Sequence, residues 1–387
     1  MDFGEKIKSE FLLNKEVIFL NHAAYPSLPR DVLEHRLKLI RDQERDPENF
    51  FRKRIFKMHK NQVDYIAQFV ATDAENLCLT ESTTHSINSI LMSVPLKAGD
   101  TILLQTFTFS ATRRATERIA DLRGLNVISL DIKLPIKSID EILNLYERSL
   151  NENPGIKLVL VDHISSSVPI LWPIKQLVNL CKSKNRIVVV DGAHGPGQVQ
   201  LNLDDLNADF YTGSLYKWNF VPRGCGLLYV DKKYHNCFSN IHTSQRFGSR
   251  PFQIQFIFYG TRDYSPMYCW DSSRKFIDKC GGNKKIDEYN KTLLRNGWQL
   301  LVKAWKTDIF NVPDDMRAPS MTLIKVPKLS RFSAENSVEF EKKFREKFNI
   351  EVFAVYLYGE FWFRLSVQIY NTLKDFEILR DSINSLL

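Results

Sequence analysis

The sequence predicts an α/β protein in which a mostly parallel sheet lies between helices and is followed by a smaller α+β domain. From about residue 76, short β-rich runs alternate with segments of helical periodicity, which is the pattern of repeated βα units. Beyond about residue 249 the alternation gives way to longer helices and then to mixed strands and helices. Ligands of open parallel sheets bind outside the carboxyl ends of the strands, so we expect a functional site at that edge.

The elements of the predicted sheet follow in chain order. Five runs rich in apolar and β-branched residues predict buried strands at 77–80, 101–105, 127–130, 157–161 and 186–190. The segments between them predict helices near 85–92, 112–121, 139–150 and 173–184. After the fifth strand we expect the helices to stop and two further strands to complete the sheet, at 208–212 and 226–230.

The last third of the chain predicts a second, smaller unit. Long helical patterns cover 263–279 and 285–306, and strand patterns cover 320–326, 350–356 and 361–367. We therefore expect three parts: an N-terminal segment (1–20) that packs on the small domain, a large domain (21–255) and a small α+β domain (256–387).

Composition excludes several classes of protein. The chain has 387 residues, of which 44% are hydrophobic and 25% charged, and this balance is not that of a disordered or collagen-like chain. The formal net charge of +8 permits anionic partners without naming one. A basic stretch at 51–60 predicts an amphipathic helix, and we favour a solvated helix face there over a nucleic-acid patch.

The sequence also favours a cytoplasmic protein without a membrane span or a metal. Glu and Lys interrupt every apolar stretch of the first 21 positions, so we expect no signal peptide there. No apolar run approaches the roughly 20 residues that are needed to cross a bilayer. The six cysteines form no CxxC pair and no Cys/His cluster at zinc spacing, so we expect reduced thiols.

The pair that indicates chemistry is Asp191 and Lys217. Asp191 ends the fifth predicted strand, where its side chain points into the ligand crevice and needs a cationic partner. A lysine held nearby in an apolar setting has a lowered pKa and becomes nucleophilic. Taken singly, Asp191 is more simply a cap and Lys217 a surface residue. Together they suit a pyridoxal-phosphate site, where a lysine bonds the cofactor and an acid pairs with the ring nitrogen.

The segments around this pair carry a family resemblance. VDGAHGPGQ (190–198), ADFYTGSLYKW (208–218) and PRGCG (222–226) resemble the class V aminotransferase-like enzymes of fold type I, most closely their isopenicillin N epimerase-like branch. Four further motifs are similar in the same order: FLNHAAYP (19–26), VDHISS (161–166), GTRDYS (260–265) and RLSVQIYN (364–371). The resemblance implies a seven-stranded sheet, pyridoxal phosphate as cofactor, an amino acid as substrate, and a homodimer with the site at the subunit interface.

The resemblance also implies roles for individual residues. Lys217 would bond the cofactor and move the Cα proton, Asp191 would bind the ring nitrogen, His194 would lie near the ring hydroxyl and Phe109 would stack on the ring. The remaining implied contacts are phosphate binding by Ser82, Thr83, Thr84, Ser214 and Tyr216, a contact of Thr261 with the phosphate of a neighbouring subunit, and substrate binding by Arg364, Asn21 and Ser166.

The chain departs from the family pattern at several of these positions. Tyr216 precedes the lysine where the family usually has histidine; its hydroxyl can still donate to phosphate, but it supplies no cation at neutral pH. Phe109 keeps the stacking ring where relatives carry histidine or tyrosine. Ala23 and Ala24 stand where the branch often has glycine and serine.

The reaction is left open between several outcomes. Our first hypothesis is a C–S lyase acting on cysteine or a cysteine S-conjugate, because it needs only one proton-abstracting base and a leaving group. An epimerase, which needs a second acid, and an aminotransferase are the alternatives.

A cysteine desulfurase is disfavoured because residues 350–363, before Arg364, contain no cysteine. Aromatic residues of that segment either line a pocket for a bulky substrate or belong to the core. A catalytically inactive anion- or nucleic-acid-binding protein on the same fold is the alternative from another class.

Overall fold

A computed structural model describes residues 1–330 and 332–387, and it shows three sheets. The largest has seven strands and a smaller one has three, while a two-residue pair links the N-terminus to the last part of the chain. The strands in chain order are β1 (Ile18–Phe19), β2 (Leu77–Thr80), β3 (Thr101–Gln105), β4 (Asn126–Leu130), β5 (Ile156–Asp162), β6 (Ile187–Gly192), β7 (Phe210–Ser214), β8 (Gly226–Val230), β9 (Met321–Lys325), β10 (Ile350–Glu351), β11 (Phe353–Leu357) and β12 (Glu360–Ser366).

Helices cover both faces of the large sheet and one side of the small one. Polar side chains accept hydrogen bonds from the free backbone N–H groups in the first turn of several of these helices. The Ser138 hydroxyl, for example, accepts a hydrogen bond from the N–H of Glu141 at 3.1 Å. The α-helices are α1 (Arg30–Arg45), α2 (Pro47–Asn49), α3 (Ile55–Phe69), α4 (Thr83–Ser93), α5 (Ser110–Arg123), α6 (Ile139–Glu152), α7 (Ile174–Ser183), α8 (Leu203–Leu206), α9 (Leu215–Trp218), α10 (Ile254–Ile257), α11 (Trp270–Lys279), α12 (Gly282–Trp305), α13 (Ser337–Phe348) and α14 (Leu373–Asn384).

The large sheet has the strand order β2-β8-β7-β6-β5-β3-β4. Strand β8 runs antiparallel to both neighbours, and the other pairs are parallel. Alternate residues of the central strands enter two different clusters of buried side chains, one on each face. The predicted α/β class with a mostly parallel seven-stranded sheet and a smaller C-terminal sheet is therefore confirmed.

Three local predictions differ from the structure. The helix expected from residue 263 begins only at Trp270, after a 3-10 turn (Ser265–Tyr268) that contains Pro266, which lacks a backbone N–H. The expectation that helices stop after β6 is wrong, because α8 and α9 lie between β6 and β8. The strand expected over 350–356 is two strands, β10 and β11, which belong to different sheets.

The N-terminal segment contacts the C-terminal part of the chain. Strand β1 pairs in parallel with β10, with Ile18 opposite Ile350. The N–H of Gly4 donates to the carbonyl of Ile369 at 2.7 Å. Leu20 is fully buried in the same cluster as the small sheet and α14. The domain boundaries themselves stay a prediction.

The basic stretch at 51–60 spans a π-helical turn (Phe50–Arg54) and the first residues of α3. Two of its cations form surface ion pairs one helical turn away, Arg52 with Glu48 and Lys60 with Asp64. No helix in the described part of the chain is long and apolar enough to cross a membrane.

Helix α3 also buries a histidine that should make the protein acid-sensitive at one defined position. Neither ring nitrogen of His59 has a hydrogen-bond partner among the described residues, and burial lowers its pKa from 6.5 to about 4. The unfolded chain therefore binds the proton first, so the wild type loses up to about 3 kcal/mol between pH 6.5 and pH 4 through this group. Leucine does not titrate, so the stability of His59→Leu relative to wild type should rise as the pH falls. Urea unfolding of both proteins at pH 7, 5.5 and 4.5 measures their free energies of unfolding. A difference in this free energy between His59→Leu and wild type that does not vary with pH would contradict the prediction.

Candidate active site

Both residues of the predicted pair lie at the carboxyl edge of the large sheet. Asp191 lies near the end of β6, and Lys217 lies on the short helix α9, which begins directly after β7. Because β6 and β7 are adjacent and parallel, with Asp191 opposite Thr212, both chain segments leave the sheet at the same edge. The Nζ atom of Lys217 lies 3.0 Å from Nε2 of His194.

The environment of Lys217 favours its neutral amine. Burial is the largest cause, and the positive charge of Arg364 acts in the same direction. The carboxyl groups of Asp191 and Asp162 oppose these effects, and the pKa falls from 10.5 to about 8. Burial and the charge of Lys217 also lower the pKa of His194, so the imidazole is neutral. An amine that is partly neutral near physiological pH can attack an aldehyde and can accept a proton.

Asp191 is 2% exposed and is held by two donors. The Thr112 hydroxyl donates to Oδ2 at 2.7 Å, and the N–H of Ala193 donates to Oδ1 at 3.1 Å. Burial raises the pKa of the Asp191 carboxyl, while these hydrogen bonds and the charge of Lys217 pull it back down. Thr112, which the sequence did not single out, lies in the first turn of α5 and ties that helix to β6.

A second buried acid, also not singled out from the sequence, lies next to Asp191. Asp162 ends β5 in register with Asp191, and its Oδ2 accepts from the amide of Gln105 at 3.2 Å. Burial, together with the negative charge of Asp191, raises the pKa of Asp162 well above its usual value, while a hydrogen bond from the backbone of Phe109 opposes this. The two neighbouring acids thus disfavour each other's ionised form, and for Asp162 this effect is the largest after burial.

Phe109 immediately precedes α5 and is 41% exposed. Its backbone, rather than its ring, acts on the Asp162 carboxyl, whose pKa it lowers. The exposed apolar ring offers a flat surface for a heteroaromatic ring.

Hydroxyl groups gather at the start of α4. The Thr83 and Ser214 hydroxyls lie 2.9 Å apart, and the Ser82 side chain accepts the N–H of His85 at 3.1 Å. The Ser214 side chain also acts on the Tyr216 phenol, whose pKa it lowers against the larger effect of burial. We call Thr83, Ser214 and Tyr216 the hydroxyl cluster; it lies beside a helix N-terminus, which attracts anions.

Three of the proposed phosphate ligands, Ser82, Thr84 and Thr261, lie outside this cluster in the single chain. Thr84 and Thr261 are both exposed. The carbonyl of Thr84 accepts the amide of Asn88 at 2.8 Å. A phosphate contact by Thr261 across a subunit interface stays a prediction.

A buried arginine lies on the other side of Lys217. Arg364 is 2% exposed; its Nη2 donates to Oδ1 of Asn21 at 2.7 Å, and its Nη1 donates to the carbonyl of Ser166 at 3.1 Å. The Phe353 ring lies 4.2 Å from its Cζ atom. No carboxylate in the described part of the chain forms a salt bridge with Arg364, its Nε has no partner there, and burial lowers its pKa to about 10. The charge of Glu341 opposes the effect of burial on Arg364 without forming a salt bridge with it. The structure thus brings the three proposed substrate ligands together around a buried cation that has no salt-bridge partner among the described residues, which suits a carboxylate.

His22 contacts the backbone carbonyl of Lys217. Its Nε2 lies 2.6 Å from the carbonyl of Lys217, which can only accept, so Nε2 donates and Nδ1 accepts from the Tyr370 hydroxyl, also at 2.6 Å. Burial lowers the pKa of His22 to about 3, which keeps this neutral tautomer. The residue lies in the motif at 19–26, but its role depends on contacts with residues 195 and 348 positions away.

The aromatic residues before Arg364 do not form one cluster. They alternate along the β11–β12 hairpin, so Phe361 and Phe363 pack on Phe340 in the core of the small domain, while Trp362 packs against the main core. Tyr356 is exposed and packs on Phe361. The core interpretation therefore holds for Phe361 and Phe363.

The donor set fits pyridoxal phosphate. Lys217 would bond it, Asp191 would face its ring nitrogen, Phe109 would lie against its ring and the hydroxyl cluster would hold its phosphate. The buried Arg364 guanidinium, with Nε unpartnered among the described residues, would remain for a substrate carboxylate. Within the same residues, no group of three or more His, Cys, Asp or Glu side chains could hold a metal ion.

This fold is that of the pyridoxal-phosphate enzymes of fold type I, and the lysine site suits their cofactor. The aminotransferase class-V family model matches residues 18–332, and the chain belongs to that family. The predictions of the family and of pyridoxal phosphate as its cofactor are thus confirmed.

Similar proteins refine this placement. The chain is 31% identical to a probable chloroplastic L-cysteine desulfhydrase of Arabidopsis thaliana, over 75% of this chain but only 64% of that protein. It is 24% identical to a hercynylcysteine sulfoxide lyase of Schizosaccharomyces pombe (97% and 95% covered) and 23% identical to an isopenicillin N epimerase of Streptomyces clavuligerus (99% and 98%). A solved cystine C-S lyase, C-DES, in complex with cysteine persulfide, has a TM-score of 0.83 at 15% identity (96% and 98% covered), which shows the same fold.

The lowered pKa of Lys217 predicts how cofactor attachment varies with pH. With a pKa of about 8, about one tenth of the amine is neutral at pH 7 and about half at pH 8. Attachment of limiting pyridoxal phosphate to the cofactor-free protein should therefore speed up about fivefold from pH 7 to pH 8 and level off above pH 9. Stopped-flow absorbance measures this rate, with N-acetyl-lysine as the control amine. A rate that keeps rising to pH 10.5, as the control does, would contradict the lowered pKa.

Proposed function

We propose that this protein cleaves the C–S bond of cysteine or of an S-substituted cysteine with pyridoxal phosphate as cofactor. The observation that carries the proposal is the combination of a partly neutral lysine amine with a buried arginine that forms no salt bridge among the described residues, at one edge of the sheet. The names of the relatives point the same way, since two of them are lyases of cysteine or of a cysteine conjugate.

Each side chain has a definable part in this reaction. The Arg364 fork binds the substrate carboxylate, and Asn21 and Ser166 keep the fork in place. Pyridoxal phosphate, when bound, withdraws electrons from the substrate Cα and so weakens its C–H bond. The Nζ atom of Lys217 accepts that proton, and the neutral imidazole of His194 lies within hydrogen-bond distance of it. The negative charge of Asp191 keeps the ring nitrogen protonated. With cysteine and water as reactants, the products are pyruvate, ammonia and hydrogen sulfide.

The hairpin before Arg364 argues against a persulfide-forming desulfurase. Strands β11 and β12 pair without interruption from Phe353–Arg364 to Leu357–Glu360. Their turn is only Tyr358 and Gly359, both with positive φ (53° and 81°), as in a tight two-residue hairpin. This segment has no loop and no cysteine, so it offers no sulfur acceptor beside the substrate carboxylate.

Product analysis tests the reaction. The holoenzyme is incubated with L-cysteine and with hercynylcysteine sulfoxide, and pyruvate is measured with Lys217→Ala as the blank. Pyruvate from either substrate supports the proposal. Racemisation of an amino acid without pyruvate would point to an epimerase, and glutamate formed from 2-oxoglutarate to an aminotransferase. A protein that binds no cofactor and retains RNA at low salt would instead be an anion-binding protein.

We further propose that the enzyme is a cytoplasmic homodimer. Thr261 and its neighbour Gly260 are exposed in the single chain, where a second subunit could contact them. All six cysteines are free thiols, which suits a reducing compartment. Sedimentation equilibrium and a fluorescent fusion test the two statements. A monomer at micromolar concentration, or the fusion in an organelle, would refute the corresponding one.

A further inference from the structure

We infer that Arg223 supplies the positive charge for the cofactor phosphate in place of the cation that Tyr216 does not provide. The inference rests on the proposed cofactor site and deepens it by naming a residue that binds one end of the cofactor.

The hydroxyl cluster is electrically neutral. Thr83, Ser214 and Tyr216 can each donate one hydrogen bond, and burial raises the pKa of the Tyr216 phenol, so it stays uncharged at neutral pH. A phosphate monoester carries a charge of about −1.5 to −2 at pH 7. Hydroxyls and one helix N-terminus leave most of that charge without a cation, so a neighbouring basic residue is required for tight binding.

Arg223 is exposed and lies next to Tyr216, one of the three residues of the cluster. It shares with Tyr216 the wall of a cavity of about 210 Å³, and its charge acts on the Tyr216 phenol, whose pKa it lowers against the effect of burial. Its Nη1 donates to the carbonyl of Pro26 at 2.9 Å, and it forms no salt bridge within the described residues. The other arginine of this cavity, Arg36, is already neutralised by Asp263 at 3.0 Å. Arg223 is therefore the cation of this cavity that remains available to an anion.

The backbone around Arg223 is held close to the cluster. The N–H of Leu215 donates to the carbonyl of Cys225 at 3.2 Å, and Gly226 pairs with Ser214. A Cβ atom at Gly226 would come within 2.9 Å of the Gly213 carbonyl, so the two segments approach as closely as glycine allows. The start of β8 thus fixes the Arg223 loop beside the end of β7.

Comparison of two cofactor forms tests this role. Cofactor-free wild type, Arg223→Gln and Arg223→Lys are titrated with pyridoxal phosphate and with pyridoxal, which lacks the phosphate, and dissociation constants are read from absorbance. We expect Arg223→Gln to weaken pyridoxal phosphate binding about tenfold and to leave pyridoxal within about twofold. Arg223→Lys keeps the charge and should stay within about threefold of wild type. Arg148→Gln, at an exposed position of α6, is the control.

A double variant tests whether Arg223 replaces the cation that Tyr216 does not provide. Tyr216→His in the Arg223→Gln background restores an imidazole that can be charged at pH 6, and it should recover most of the lost affinity at that pH. Inorganic phosphate should compete with the cofactor less effectively in Arg223→Gln than in wild type. Equal weakening of both cofactor forms, no weakening of either, or no recovery with Tyr216→His would each overturn the inference while leaving the proposed reaction intact. A wild-type protein that binds neither form would overturn both.

Discussion

Replacing Lys217 by alanine is expected to abolish covalent attachment of pyridoxal phosphate and to lower substrate turnover by at least about 10³-fold. Two functions are lost together, because the same Nζ atom bonds the cofactor and accepts the Cα proton. The remaining groups still offer a binding site, since Asp191, Phe109 and the hydroxyl cluster are unchanged. Borohydride reduction followed by peptide mapping measures the attachment, and pyruvate release measures the turnover.

An exposed lysine provides the matched control for this experiment. Lys303 lies in the last turn of α12, and Lys303→Ala should keep both the label and the activity. Lys217→Ala should still bind the cofactor noncovalently. The dissociation constant of the cofactor from this variant therefore separates loss of the covalent bond from loss of the fold. A borohydride label that persists in Lys217→Ala, at any other lysine, would refute the assignment.

Replacing Arg364 by glutamine is expected to raise the KM for cysteine about 100-fold, with a much smaller change in kcat. The physical reason is that the guanidinium fork binds the carboxylate of the substrate, which does not change during the reaction. Arg364→Lys keeps the charge but not the fork, so it should recover only part of the loss. Steady-state kinetics at saturating cofactor measures both constants.

A substrate without a carboxylate distinguishes this role from a general loss of structure. Cysteamine lacks the group that Arg364 binds, so the difference in KM between wild type and Arg364→Gln should nearly vanish for it. Arg345 pairs with Glu351 on the surface of α13, and Arg345→Gln serves as the control arginine. An unchanged KM for cysteine in Arg364→Gln would place the carboxylate elsewhere.

Much of the fold could be predicted because its signals are local. The runs at 77–80, 101–105 and 226–230 coincide with β2, β3 and β8, since a strand that is buried on both faces is recognisable from its own run of apolar residues and the turns beside it. Strand β7 was placed two residues early, and α9 was missed, because a four-residue helix contains too little periodicity to be seen.

The site was only partly predictable for a different reason. Asp191 and Lys217 stand at positions that a strand end and a motif define along the chain, so the sequence points to them directly. His22, Thr112 and Asp162 act through contacts with distant residues, and their own neighbours in sequence give no sign of these contacts. Asp162 was the most accessible of the three, since like Asp191 it is an acid at the end of a buried strand.

The amino-acid sequence alone is enough to predict the α/β alternation, the family motifs, and the lysine and acid on which the proposed chemistry depends. Folding is what brings Arg364 to Asn21, 343 positions away, places two acids at one edge of the sheet, and puts Arg223 and Tyr216 in the wall of one cavity. The two kinds of information differ in the distance along the chain over which they act. Backbone periodicity and turn chemistry depend on residues within a few positions of each other, whereas the charge state of a buried group depends on every group that folding brings within a few ångströms of it.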